Sequence, residues 1–263
     1  AVNLPKDKFE VKAGAGGDGE LLTRLKSRGI ETIRLPALQE SSNILGILFF
    51  YILIVVYGPN QDKYALMEGW PGATLIILPN FLTLAAFLLL LVVPLLTMRL
   101  ISEERRAKTM TLLFSAPISM TEIVLGKYLG VMLFLLLVLA LVALMPLSLL
   151  LGGRIDLGVV FAGLFGLALT LASFAAVGLF ISTLTQHPTV AAIASFGALL
   201  CFWLLDVSVQ GTGIIAYLSL FNHYQPFLQG VFDTADAAYH LLLIVTFLVL
   251  SVRRLDADRL GIA

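Results

Sequence analysis

Six stretches of this chain are apolar over most of their length, with cores free of Asp, Glu, Lys and Arg. They are Asn43–Tyr57 (extendable through Ser41 and Gly58), Ala73–Met98, a run from near Ile123 to Leu151, Leu157–Leu184, Thr189–Leu205 and Ala237–Val252. A helix needs roughly 17–25 such residues to cross about 30 Å of hydrocarbon. In lipid the backbone must satisfy its own hydrogen bonds, so runs of this length are read as helices. The expected fold is therefore an all-α integral membrane protein with six transmembrane helices. Composition agrees: 59% of the 263 residues are hydrophobic and 13% charged, against about 45–50% and about 25% in a soluble domain. That excludes a soluble globular protein, a disordered chain and a basic nucleic-acid binder. Seventeen Lys+Arg balance seventeen Asp+Glu, so no net field recruits a polyanion. The bilayer is the first partner expected, and nucleic acid is not.

The positions of the cations orient the spans. Seven Lys and Arg precede the first span, five lie from Arg99 to Lys127, and three lie from Arg253 to Arg259. The alternate side holds only Lys63 and Arg154. Six spans with cytoplasmic N- and C-termini keep this separation; five or seven would spoil it. The chain then divides into a polar cytoplasmic segment over 1–40, a six-span domain over 41–253 and a cytoplasmic tail over 254–263. The stretch from Asp206 to His240 is long, weakly polar and interrupted by Gly211, Gly213, Pro226 and Gly230. Its apolar part, Ile214 to Phe221, is too short to cross, so a re-entrant or interfacial helix is expected on the outer side. Asp233-Thr-Ala-Asp236 reads as the acidic, capped start of the sixth span. In the fourth span, Ala162, Gly166 and Thr170 recur every four residues, a spacing that lets helices approach closely.

The loop between spans two and three is the most informative segment. Glu103 faces Arg106 at i,i+3, and Glu104 faces Lys108 at i,i+4 with the acid first, the favourable order. These charges describe a helix over residues 103–116 leaving the membrane. Toward its end Met110, Leu113 and Phe114 share one face, flanked by Leu112. Pro117 disfavours helix at Ala116 and ends the element. Ser119-Met-Thr-Glu122 then has the capping-box pattern that opens span three. An apolar cluster on such a helix needs contacts from the bilayer surface or from a partner protein.

The run Glu103-Glu104-Arg105, Thr109, Leu112-Leu113, Pro117 and Gly126-Lys127 resembles the signature loop of type-two ABC exporter permeases. Residues 218–230 resemble the outer loop of the gliding-motility-type branch. The resemblance implies a coupling helix that docks on a separate ABC ATPase through Glu103, Glu104, Arg105, Thr109, Met110, Leu112, Leu113, Phe114 and Pro117. It implies a second cytoplasmic contact between spans four and five, here Thr185, Gln186 and His187. Where the family usually has Gly before the Thr, this chain has Lys108. Also implied are a second permease copy or homologue, ATP and Mg bound by the partner ATPase, and a bacterial inner membrane. An extracytoplasmic accessory protein is a further expected partner.

Other motifs carry less. Gly14-Ala-Gly-Gly-Asp-Gly19 matches GxGxxG between an expected strand at Lys8–Lys12 and a second at Ile30–Leu35, but a dinucleotide fold needs a whole sheet. There is no GxxxxGK[ST], so the chain has no P-loop of its own, and no HExxH or GxSxG. His187, His223 and His240 are scattered in sequence, and Cys201 stands alone, so no metal site is expected. Asn80, Thr83, Thr97, Thr170 and Ser173 are the main polar groups within spans; they bond neighbouring helices or their own carbonyls, or, for all but Thr97, line a path. With no ionisable relay inside the spans, energy is expected from outside. The function expected is a permease subunit, not an enzyme, forming a translocation path as a dimer. The alternative is a membrane anchor that couples an ATPase to an extracytoplasmic machine without passing substrate.

Overall fold

The computed structural model describes residues 12–15, 31–34, 73–110, 113, 118–148, 156–208 and 217–261. The first expected span, Asn43–Tyr57, lies outside the described residues. The chain forms two compact units. In the first, strands β1 (Lys12–Ala15) and β2 (Glu31–Arg34) pair in parallel, with Lys12 opposite Glu31 and Ala15 opposite Arg34. β2 falls within the expected second strand, but β1 begins where the expected first strand ends. Gly14 therefore lies inside β1 rather than in the turn after it, where a dinucleotide fingerprint needs its first glycine.

The second unit, Pro71–Leu144 with Asp156–Ala263, is helical. The helices are α1 (Ala73–Thr97), α2 (Ser102–Arg106), α3 (Met120–Ser148, in this unit as far as Leu144), α4 (Leu157–Leu184), α5 (Pro188–Ser208), α6 (Leu220–Leu228) and α7 (Thr234–Arg259). Among the described residues, five helices are long and apolar enough to cross a membrane. They coincide with expected spans two to six, and the fourth runs over the same residues, Leu157–Leu184. Polar side chains set the starts. Ser119 and Glu122 form a reciprocal capping box at α3: Ser119 N–H donates to Glu122 Oε2 at 2.8 Å and Glu122 N–H to Ser119 Oγ at 3.2 Å. Asp156 caps α4 by accepting from Gly158 N–H at 2.9 Å, and Asp233 caps α7 by accepting from Ala235 N–H at 2.9 Å.

α4 is the centre of the unit, buried along most of its length and flanked by α1, α5, α6 and α7. Two glycines allow its closest approaches. A Cβ on Gly166 would lie 2.7 Å from Phe227 Cγ of α6, and one on Gly178 would lie 3.0 Å from Thr97 Cβ of α1. Small residues at such crossings let backbones meet where lipid offers no hydrophobic drive for association. α1 turns Leu78, Phe81, Leu82, Ala85, Ala86 and Val93 inward and Phe87, Leu91 and Leu95 outward. Both faces are apolar, as a helix between lipid and bundle requires.

α6 buries Leu220, His223, Tyr224, Phe227 and Leu228, an i, i+3, i+4, i+7, i+8 stripe. Nine residues span about 13.5 Å, well short of a crossing. A short helix is thus present between expected spans five and six; Ile214–Ala216 of the apolar run lie outside the described residues. Ser219 caps α6 by accepting from Asn222 N–H at 3.4 Å.

Candidate functional site at the charged end of the bundle

α2 has five residues, and its first residue is preceded by Ile101, which has no side chain able to cap it. The missing cap comes from another helix. Ser182 Oγ, near the end of α4, accepts from Ile101 N–H and Ser102 N–H, both at 3.1 Å, and donates to Met98 O at 3.1 Å. One hydroxyl has one proton and two lone pairs, so all of its capacity is used. Ser182 is fully buried.

The other end of α2 closes in a Schellman motif. Lys108 N–H donates to Arg105 O at 3.2 Å and Thr109 N–H to Glu104 O at 3.0 Å, the 5→2 and 6→1 bonds of that turn. Lys108 occupies its left-handed position with φ 58, a conformation suited to glycine. The single helix expected over 103–116 is therefore interrupted at 107–109, because a left-handed residue cannot continue an α-helix. The turn swings the chain back toward the bundle. Met110 is buried, and Leu113 packs with it against Ile101, Met120, Ile123, Val124, Leu179 and Leu255. For Met110 and Leu113, the apolar contacts expected from lipid or a partner are made within the chain. Among the described residues of this segment, those that stay exposed are Glu103, Arg106, Lys108 and Thr109, with Ala107 among them. Leu112, Phe114 and Pro117 lie outside the described residues.

Ion pairs brace α2 from two further helices. Lys127 Nζ, on α3, reaches Glu104 Oε1 at 2.7 Å and Leu100 O at 2.6 Å. Arg105 pairs with Asp258 of α7, whose other carboxylate oxygen lies 3.7 Å from Arg254. The Arg105 and Asp258 side chains are each only 14% exposed, so this pair is screened far less than one on the surface. Thr185, Gln186 and His187 form the turn from α4 into α5, immediately after the helix end that caps α2. His187 N–H donates to Thr185 Oγ1 at 3.1 Å, and His187 O accepts from Ala191 N–H at 3.0 Å, which makes His187 the residue that opens α5. Both expected contact segments thus lie at one end of the bundle.

The four polar residues expected along a path are not gathered in one place. Asn80 is exposed and Thr83 half-buried on α1. Thr170 and Ser173 are fully buried on α4 and donate to their own helix, Thr170 to Gly166 O at 2.9 Å and Ser173 to Leu169 O at 3.0 Å.

At the opposite end of α7, against the middle of α4, lies a polar cluster that sequence reasoning missed. His240 is fully buried, with Nδ1 3.1 Å from Ser173 Oγ. His223 Nδ1 lies 2.7 Å from Asp236 Oδ1, and its Nε2 lies 2.9 Å from Tyr217 O. The Tyr239 ring stacks on His223 at 3.9 Å. Nearby, Tyr224 donates to Leu82 O at 3.3 Å, and burial holds its phenol well above the ordinary tyrosine range. The expectation that the spans keep no ionisable group is corrected here, since His240 sits inside α7 and Asp236 in its first turn. The signal was available: Asp236 and His240 are four apart on an otherwise apolar helix and so share a face. Among the described residues no group of three His, Cys, Asp or Glu converges on a metal position.

Residues 4–260 match the family model described as ABC-2 family transporter protein. No curated protein and no solved structure matches the chain.

Proposed function

Since the chain belongs to the ABC-2 family of transporter proteins, we propose that it is the permease subunit of an ATP-driven exporter and that α2 is its coupling helix. Two copies, or one copy and a homologue, enclose the translocation path, and a separate ATPase binds ATP and Mg. The observation that carries this reading is the bracing of α2. Ser182, Lys127 and Asp258 tie five residues to α4, α3 and α7, so a push on α2 moves three spans together. A knob held this way passes on a displacement instead of yielding to it. The ATPase meets the exposed polar edge of Glu103, Arg106, Lys108 and Thr109, with Gln186 and His187 as the second contact. In this reading this end and both termini face the cytoplasm, as the Lys and Arg asymmetry favours, and the membrane is a bacterial inner membrane. The family match and the lack of a P-loop motif in the sequence favour a non-enzymatic subunit whose partner hydrolyses ATP.

The test is co-purification with the ATPase subunit after charge reversal at Glu103→Lys and Arg106→Glu. Loss of the complex, with the bundle still folded, is expected. Full retention by both variants overturns the docking role. In reconstituted vesicles, ATP turnover that responds to a translocated compound supports export; turnover that never does supports the mechanical anchor.

A further inference from the structure

His223 and Asp236 are 6% and 8% exposed, and His240 is fully buried. Hydrogen counting at this cluster leads to a definite result. Tyr217 O can only accept, an ionised carboxylate can only accept, and a neutral imidazole has a single N–H. With His223 neutral and Asp236 ionised, one of the contacts at 2.7 Å and 2.9 Å would set two acceptors against each other. One extra proton, on the imidazole or on the carboxylate, satisfies both contacts at once. The neighbouring histidine is assigned by the same reasoning. The Ser173 proton goes to Leu169 O, so Ser173 Oγ accepts from His240 Nδ1–H, and the buried His240 Nε2 has no partner.

We propose that the junction of α6 and α7 is a proton-binding site, formed by His223 and Asp236 with His240 and Ser173 beside them, and that the bound proton fastens α6 to α7. The proton bridges two elements: His223 belongs to α6 and Asp236 to α7. Without it, the single imidazole N–H is shared between two acceptors, so either the Asp236 contact to α7 or the Tyr217 contact at the entry to α6 turns repulsive and the junction loosens. Among the described residues, α7 sets Asp236, Tyr239 and His240 around His223, and the residues before α6 supply Tyr217. Further from it, Ser173 of α4 meets His240, while Trp203 of α5 and the Leu82 carbonyl of α1 meet Tyr224. No Lys or Arg is paired there among the described residues. Asp236 is the carboxylate that balances the proton's charge. The fastened state binds one more proton than the released state, so acid favours it and rising pH weakens it.

The geometry of the junction carries this reading, and the compartment that supplies the proton follows from the topology proposed above. The experiment uses the full chain in lipid nanodiscs without any ATPase, so its failure is distinct from failure of the transport reading. Nitrogen NMR of histidine-labelled protein is expected to show the extra proton on the His223–Asp236 pair and Nδ1–H on His240. In Asp236→Asn the amide N–H can donate to a neutral imidazole, and the extra proton is expected to be lost. Hydrogen exchange over residues 220–228, corrected for its intrinsic pH dependence, should rise at least about threefold between about pH 5.5 and 9. The same titration should be flat in Asp236→Asn and in His223→Gln. A wild-type pair lacking the extra proton, or an α6 whose exchange titrates equally in both variants, overturns the proposal.

Discussion

Replacing Ser182 by alanine removes the one group that caps α2. A five-residue helix cannot sustain itself, because the first turn fixes several residues for a single hydrogen bond. Its start depends on an acceptor 80 residues away in the chain. The substitution leaves Ile101 N–H and Ser102 N–H without that acceptor at a fully buried position, while Met98 O keeps the Ser102 hydroxyl. Each stranded donor costs about 1–3 kcal/mol; with water relieving part of this at the end of the bundle, the local loss is about 2–4 kcal/mol. Since 1.36 kcal/mol is a factor of ten, opening of residues 101–109 should become about 30- to 900-fold more frequent. Hydrogen exchange by mass spectrometry reads this in a peptide covering residues 98–110, with a peptide from the middle of α4 as internal reference. If the first peptide accelerates less than about threefold while the reference is unchanged, trans-capping by Ser182 does not hold α2 in place.

Two substitutions test neighbouring parts of the argument. An L-residue at left-handed φ costs about 1–2 kcal/mol, partly offset by the larger chain entropy glycine loses on folding. Lys108→Gly should therefore slow exchange of the same peptide about 2- to 5-fold, and Lys108→Val should speed it. Gly166→Ala drives a methyl into Phe227, a cost of about 1–3 kcal/mol set against about 1 kcal/mol of helix propensity gained. Thermal unfolding in detergent should show a net loss that disappears in a Phe227→Ala background, as coupled neighbours require.

What could be read from the chain in advance was what depends on neighbours in sequence. The spans from Ala73 onward, the Ser119/Glu122 box and the Asp233 cap all rest on residues within a few positions of one another. The Gly166 crossing was legible as small-residue spacing, although its partner Phe227 was not. Features built from distant pairs stayed hidden. Ser182 reads as one hydroxyl among several near a span end, and Asp258 as one charge in a polar tail. The break at Lys108 was hidden for a different reason: lysine is a good helix former, and its charge pattern favoured continuation, yet the apolar contacts of Met110 and Leu113 favour the turn. The histidine cluster escaped because His223 and Asp236 are thirteen apart and on different helices, so neither pattern nor period connects them.

The position of α4 has a mechanical consequence. Twenty-eight residues make a rod of about 42 Å, gripped near one end by α2 through Ser182 and notched by Phe227 at Gly166, about 24 Å further along. A tilt of about 5° about the gripped end carries the notch through about 2 Å. Because Phe227 is seated in the notch, α6 travels with that part of the rod instead of sliding over it. On the coupling-helix reading, a nudge against the short surface helix is therefore felt at α6, a separate element about 24 Å away along one rigid rod.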